Sequence, residues 1–530
     1  MKRILILGGG FGGVYTAIYL ERYLKKALKQ KEIELCLVNK ENYFTYHPML
    51  AEVVGGSLGI FDTVSPIQRL VPKTRLYVRD IEQIDLDQRT VILAPQFSHK
   101  ATSISFDYLV LALGNVTNFK DNPGLHEHAL GFKNLGDAIV IRNRILDCVA
   151  AAANENDPAI RKQLLTFVLA GGGFSGTECC AEINDFAKKL CKGYPQLSPD
   201  EIHVVLIHKQ QRLLDRELPE SLGTYTGQLL AQRGVDIRFG RMLLTATPEC
   251  AILDDHSRIL SKTIISSVPT TPNPLIEELN LPKRNGRILT NSYLQVEGHE
   301  TVWALGDCAM IPLGKEDEFC PPTAQFAIRE AKQLAKNLVA HLAGAPKKSF
   351  QFKALGMLGA LGHHSAVAQV FGRFKFSGFF AWILWRLIYW HKLPGIDRKI
   401  KVALSWFLDL FIPTEAVQLK LTPSQGIAQL HFEPGEIIFN EGDSGDFLYI
   451  ITLGEVEVFN KKGHLANLGP GQYFGEMALL KETKRNATIK CIQPTNVLAL
   501  SKKDFGTLIT NFKELKQSFE ETEKLRNRSP

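Results

Sequence analysis

Residues 1–17 read MKRILILGGGFGGVYTA, and the fold turns on this stretch. The apolar run from Arg3 to Leu7 suits a strand covered on both faces, because parallel strands under helices lose the alternation of inward and outward residues. It leads directly into Gly8, Gly10 and Gly13 in a GxGxxG arrangement, with Phe11 and Gly12 between them, and a helical pattern runs from Val14 to Lys29. Glycine here allows a tight turn, close approach of a pyrophosphate and close helix–strand packing, with the helix N-terminus facing the phosphates. The spacing alone is weak evidence; a strand before it and a helix after it make it specific. The next strand, Ile33 to Val38, should end in an acid for ribose hydroxyls, yet it ends in Asn39, then Lys40 and Glu41. Asparagine still hydrogen-bonds a hydroxyl, so Asn39 and Lys40 join the glycines and Phe11 as candidate cofactor-binding residues.

The pattern recurs. Leu164 to Leu169 (LLTFVL) precedes Gly171, Gly173 and Gly176, with Phe174 inside the loop and TECCAEI opening a helix. Two such units imply two dinucleotides. After the second unit's next strand, His203 to Ile207, stand His208, Lys209 and Arg212. A cationic cluster there accommodates the 2′-phosphate of NADPH, where an acid would favour NADH; the alternative is a set of solvated loop charges. Composition sets outer bounds. At 530 residues the chain should hold about two to four domains, and 45% hydrophobic with 22% charged residues is ordinary for a globular protein. A net charge of +7 without a basic-aromatic cluster does not argue for nucleic acid. The nine cysteines show no CxxC and no metal-ligand spacing, so reduced thiols and no metal site are expected. The N-terminal strand leaves no room for a signal peptide.

Thr301 to Ala309 (TVWALGDCA) ends a further strand in Gly306 and Asp307, and Tyr108 to Gly114 (YLVLALG) supplies Ala112 and Gly114. Together with the two fingerprints, these motifs resemble the pyridine nucleotide-disulfide oxidoreductase superfamily over roughly residues 1–345. The resemblance implies an α/β fold of two Rossmann-like domains, one inserted in the other. It also implies FAD in the first, NADH or NADPH in the second, and Asp307 on the flavin's ribityl and phosphate region. The expected boundaries are 1–115 with 286–345 for the FAD domain and 116–285 for the nicotinamide domain. The region after the first helix holds only Cys36, so the superfamily's CxxxxC dithiol chemistry is excluded.

Within the superfamily, Asn42 to Leu50 (NYFTYHPML) and Pro321 to Glu330 (PPTAQFAIRE) resemble type II NAD(P)H dehydrogenases. The first implies packing along the isoalloxazine; the second places Ala324 and Gln325 at the quinone end of the ring. Arg329 stands where that family carries a second glutamine, and Ser266 to Pro269 (SSVP) replaces its usual aromatic, small and glycine run against the nicotinamide. Glu178 matches a family glutamate on the nicotinamide side and, with Gln325, is a candidate catalytic residue. Glu182 matches a second one, or is a helix-surface residue.

Residues 346–418 read as C-terminal helices. Phe376 to Gly395 is strongly apolar but interrupted by Arg386, His391 and Lys392, and Trp382, Trp385, Trp390 and Trp406 fall in or just after it. A mid-segment charge argues against spanning, and tryptophan favours the membrane interface. Arg398 to Ile412 adds a basic start to an amphipathic helix, so a segment lying in the interface plane is expected. The alternative is a helix pair buried in a homodimer interface.

After Pro413 short strands with turn glycines indicate a β-barrel or jelly roll over about residues 425–525. Its spacing, PGE, EGD, YIITLGEVEV and FGEMALLKETKRNAT, resembles the cyclic nucleotide-binding domain. That resemblance implies Glu476 on the ribose hydroxyl and Arg485 on the cyclic phosphate of cAMP or cGMP. Gly475, Ala478 and Ala487 complete the nest, with Asn486 beside them and a C-terminal helix from Phe505 to Arg526. The expected activity is non-pumping transfer from NAD(P)H through FAD to a quinone, on the cytoplasmic side of a membrane. The rivals are a soluble reductase of another acceptor, with Arg329 on an anionic partner, and a sensor whose flavin part no longer turns over.

Overall fold

Ile4, Leu5, Ile6 and Leu7 are completely buried, because the strand Lys2–Leu7 lies in the middle of a five-stranded sheet. The structure, a computed structural model, describes residues 1–95, 101–117, 124–267, 270–314, 318–362, 364–412, 416–418, 427–443, 445, 447–481, 484–502 and 505. The sheet runs Val302–Ala304, Tyr108–Leu111, Lys2–Leu7, Ile33–Asn39, Arg75–Val78, and all its pairings are parallel. Its edge strand Val302–Ala304 therefore arrives from far downstream. The helix that follows the first glycines spans Phe11–Tyr23 and is succeeded after Leu24 by a short one, Lys25–Lys29, rather than one continuous helix.

The residues between build a second five-stranded parallel sheet, ordered Ala129–Gly131, Thr263–Ser266, Thr166–Ala170, His203–His208, Val235–Phe239. Each of these two sheets meets its glycine turn at the carboxyl end of a central strand, where ligands bind in open α/β sheets. A long helix, Phe174–Cys191, leaves the second turn. Another, Ala324–Leu342, packs on Phe11–Tyr23 beside the first.

Residues 346–418 do not begin as helices. A three-stranded antiparallel sheet, Gly356–Ala360, Ala366–Val370, Phe374–Ser377, comes first. Gly356 (φ +151°) lets the chain pass close to the Gln369 carbonyl, and β-branched Val367 and Val370 favour extended chain. Helices then span Gly378–Lys392 and Ile396–Asp409. Among the described residues no helix is long and apolar enough to cross a membrane.

Two compact units divide the chain: Met1–Asp80, Ile84–Arg89 and Ser105–Leu419 in one, Ile81–Gln83, Thr90–Ile104 and Lys420–Pro530 in the other. The tail of the second holds two four-stranded antiparallel sheets. One orders Ile427–Phe432, Thr495–Ser501, Phe447–Leu453, Tyr473–Phe474; the other Ile437–Phe439, Thr488–Cys491, Val456–Asn460, Gly463–Leu468. Phe439, Tyr449, Phe474 and Ile489 pack between them, as in the jelly-roll alternative of the expected barrel or jelly roll. Beyond Phe505 the expected C-terminal helix lies outside the described residues, as do Val268 and Pro269 of the SSVP stretch.

Candidate functional site

The first glycine turn is a cradle that side chains would fill. Gly8 has φ +109°, and a Cβ there would overlap the Ala112 carbonyl; one on Gly13 would overlap the Gly8 carbonyl. Gly10, by contrast, has no other atom within 4 Å of where its Cβ would sit. It caps the helix Phe11–Tyr23 without any side-chain hydrogen bond, so the positive helix end is open for phosphates. This is the arrangement a dinucleotide needs, and FAD fits it. Gly9 N–H donates to Asn39 Oδ1 at 2.9 Å, and Asn39 Nδ2 donates to Glu41 O at 2.8 Å. Asn39 thus braces the turn and keeps one donor and one lone pair for a ribose. Lys40 is exposed and pairs with Glu41 at 3.4 Å.

Gly114 (φ +65°) and Gly306 (φ +72°) line the same strand ends, and Asp307 sits in the turn Gly306–Cys308. That turn is held by a residue the motifs did not reveal. Glu330, buried on the helix Ala324–Leu342, accepts the Gly306 N–H at 2.8 Å, and burial pushes its carboxyl up to about 7.

The second turn repeats the first. Gly171 has φ +115°, a Cβ on Gly176 would overlap the Gly171 carbonyl, and Gly173 caps its helix, which begins at Phe174. Gly172 N–H donates to His208 Nδ1 at 3.1 Å, as Gly9 does to Asn39. The Nε2 proton of His208 then goes to Asp215 Oδ1, 3.1 Å away. The expected cationic clamp for a 2′-phosphate is not assembled. Arg212 spends its two terminal nitrogens on the carbonyls of Leu218 and Asp215, at 2.9 and 2.8 Å. Asp215 and Glu217 bring negative charge to the same loop, and the Glu217 Oε1 stands 2.9 Å from where a Cβ of Gly173 would lie. The reason is local: a guanidinium on a sharp turn finds carbonyls before it finds solvent.

Ala324 and Gln325 open their helix, and Gln325 grips the backbone of the neighbouring sheet. Its Nε2 donates to Gly356 O at 3.0 Å while Leu355 N–H donates to its Oε1 at 2.7 Å. Arg329, one turn on, lies over the Phe352 ring at 5.5 Å. Glu178 accepts the Ala360 N–H at 2.9 Å, and burial pushes it up to about 8. Glu182 is buried rather than on a helix surface, with Gly55 against its carboxylate.

Three of the four tryptophans of this segment turn inward, while Trp390 is half-buried and donates its Nε1–H to Lys399 O at 2.8 Å. Trp382, Trp385 and Trp406 are buried, and Arg386 lies 3.9 Å from the Trp382 ring centre and 4.8 Å from that of Trp406. The mid-segment charge has turned inward to meet Glu52 at 3.4 Å and Asp409 at 3.8 Å. Arg398 is likewise inward, 3.9 Å from Asp62. The outward face is apolar instead, carrying Phe379, Phe380, Leu387, Ile400, Phe407 and Phe411.

In the tail, Glu476, Ala478, Arg485 and Ala487 are all buried. Arg485 donates to the Gly475 and Phe447 carbonyls at 2.6 and 2.8 Å and stacks 4.0 Å over Phe439. Asn486 is exposed, its amide 3.3 Å from Met477 Sδ.

The pattern of the pyridine nucleotide-disulphide oxidoreductases matches residues 2–331. The chain belongs to this family. Its members carry FAD and exchange electrons with a pyridine nucleotide, and this chain is an oxidoreductase among them, although all nine of its cysteines are unpaired and buried. The cyclic nucleotide-binding domain pattern matches residues 429–512. A type II NADH:quinone oxidoreductase, Ndh, of Mycobacterium tuberculosis is 28% identical over 81% of the chain and 92% of its own length. A demethylphylloquinone reductase, NdbB, of Synechocystis is 31% identical over 76% of the chain and 95% of its own length. The structure of Plasmodium falciparum NDH2 in complex with NADH superposes with a TM-score of 0.72 at 18% identity, covering 78% of this chain and 99% of that one. Glu52, Glu330 and Asp409 escaped sequence reasoning, and Arg386 was read only as a charge against spanning; the signal for Glu52 and Asp409 was a lone charge within an apolar run.

Proposed function

We propose that this chain oxidises NADH and delivers the electrons to a quinone at a membrane surface, under the influence of a cyclic nucleotide on its tail domain. The observation that carries the reading is the pair of glycine cradles at the strand ends of two parallel sheets, with Glu178 and Gln325 bridging to one small sheet between them. Gly8 to Gly13, Asn39, Gly114 and Gly306 with Asp307 would hold FAD; Gly171 to Gly176 and His208 would hold NADH. The bound flavin supplies hydride acceptance from the nicotinamide and electron release to the acceptor. The chain's own groups position and exclude water: Gln325 fixes Leu355 and Gly356, and Glu178 fixes Ala360. The quinone is supported by the relatives' activities, and NADH rather than NADPH by the committed Arg212.

Membrane attachment is supported by the outward apolar face of Gly378–Lys392 and Ile396–Asp409, from which Arg386 and Arg398 are turned inward while Lys401 stays exposed. Such a face on one side of a helix pair suits a monotopic lodging in the headgroup region. The cytoplasmic side would give it access to NADH. Regulation is supported by Glu476 and Arg485 sharing one cassette. Coupling of that kind is typically worth about 1–3 kcal/mol and is reciprocal.

Anaerobic mixing of the purified chain with NADH, then with a quinone, tests the core of this. Flavin absorbance should bleach with NADH and return with quinone. Bleaching that only ferricyanide reverses would favour the soluble reductase, and no bleaching would favour a sensor. Sedimentation with anionic vesicles, lost on Phe380→Glu with Phe407→Glu, tests the membrane face.

A further inference from the structure

Behind Glu178 the fold buries more carboxyls than counter-charges. Glu52 on the helix Leu50–Gly55, Glu182 one turn beyond Glu178, and Asp409 at the end of its helix gather near the guanidinium of Arg386. The Glu52 and Asp409 side chains keep only 5% and 6% of their exposure. Trp406 Nε1 donates to Glu52 Oε2 at 3.2 Å, and Tyr389, above Glu178, reaches toward Leu358 O at 3.5 Å. On the other side of the Leu50–Gly55 helix Arg142 donates to Val54 O at 3.2 Å, and Asp185 pairs with Arg233 at 3.4 Å. Among the described residues, only Arg386 makes an ion pair with the gathered carboxyls. Three acids around one cation in a dry interior, with Glu178 one turn away, cannot all ionise, so protons stay on some of them. Burial pushes Glu52 up to about 7 against the pull of Arg386, and Glu182 well above the usual carboxylate range. Arg386 Nε, Asp409 Oδ2 and Trp385 Nε1 are buried without hydrogen-bond partners. The pocket therefore has spare donors and an acceptor.

We propose that Glu52 and Glu182, set by Arg386 and Asp409, form an internal proton reserve that serves the acceptor's reduction through Glu178. The inference rests on the quinone-reducing reading above. NADH, one proton and a quinone give NAD⁺ and a quinol. The hydride carries two electrons and one proton, so each turnover needs one further proton. A carboxyl O–H breaks as a quinol O–H forms, and the carboxylate left behind is reprotonated from solvent; no other oxidant or reductant takes part. Arg386 and Asp409 are positioning residues that set how many protons the cluster holds.

The test uses the full-length, flavin-loaded chain with the isosteric variants Glu52→Gln and Glu182→Gln. Infrared titration through the neutral range should show a protonated-carboxyl stretch in the parent that shrinks in each variant. In anaerobic stopped flow, return of flavin absorbance with a water-soluble ubiquinone analogue should slow roughly tenfold at alkaline pH, a profile moved by about one unit. Bleaching by NADH should keep its rate and pH profile. Absence of the carboxyl band at neutral pH overturns the proposal, as does an unmoved quinone profile in the variants. If Glu182→Gln does not fold, Glu52→Gln decides alone. A parent chain that NADH fails to bleach would sink the assigned function instead, and the infrared titration would still judge the reserve.

Discussion

His208 and Asp215 form a 3.1 Å pair in which the imidazole faces its partner with one nitrogen and the Gly172 amide with the other. The histidine is thereby a brace of the second glycine turn, and with a nicotinamide nucleotide in the proposed site the carboxylate beside it would oppose a 2′-phosphate. NADH should be used in preference to NADPH. Asp215→Ala removes a nearby negative charge and should narrow that preference by about tenfold in kcat/KM, since a unit charge a few ångströms from a phosphate is worth about 1 kcal/mol or more. Steady-state kinetics with both nucleotides check this.

Gly10→Ala separates cofactor sterics from folding. Apart from its own chain neighbours, nothing lies within 4 Å of the new methyl group, so the apoprotein should melt within about 0.5 kcal/mol of the parent. The methyl group would occupy the phosphate cradle, so flavin content after purification should collapse. Gly13→Ala, whose methyl group meets the Gly8 carbonyl, should lose both. Absorbance and thermal melts distinguish the two variants.

Glu330 links stability to pH. Burial raises its folded value to about 7, above the value in an unfolded chain. Its contribution is therefore fully present below the unfolded value near 4.5 and is lost as pH rises through about 7. Glu330→Gln keeps an acceptor for Gly306 N–H and removes the titration. The parent should lose up to about 3 kcal/mol relative to the variant between those limits. Melting curves of both proteins across that range measure it.

Arg485 has two roles in the tail barrel. It ties Gly475 to Phe447 through their carbonyls and is the expected phosphate ligand. Arg485→Ala should cost the barrel about 1–3 kcal/mol and abolish calorimetric heats with cAMP and cGMP. Arg485→Lys, which cannot span both carbonyls, should retain charge yet bind at least about tenfold more weakly. Parent-like heats in both variants would remove Arg485 from the site.

Much of this was legible in the chain itself. The glycine spacings announce both cradles because only glycine fits where a Cβ would strike a carbonyl, as at Gly13 and Gly176. The tail's turn glycines and FGEMALL cassette announced a barrel for the same kind of reason. Side-chain direction was not legible. Asn39 and His208 are bent back onto glycine amides, and Arg212 is consumed by carbonyls, outcomes decided by loop geometry. Trp382 and Trp406 looked like residues for a lipid boundary, yet they flank Arg386, because a charge among apolar neighbours must find its counter-charges inside. The partner that drew it inward, Glu52, is distant in sequence.

The edge strand Val302–Ala304 has a consequence for biogenesis. It completes the first sheet, yet the ribosome makes it only after the whole second sheet has emerged. The nicotinamide half can therefore fold while the N-terminal strands still wait for their last neighbour. With Gly306 and Asp307, just past that strand, in the proposed flavin site, flavin capture would come late in synthesis, and a truncated nascent chain should emerge colourless.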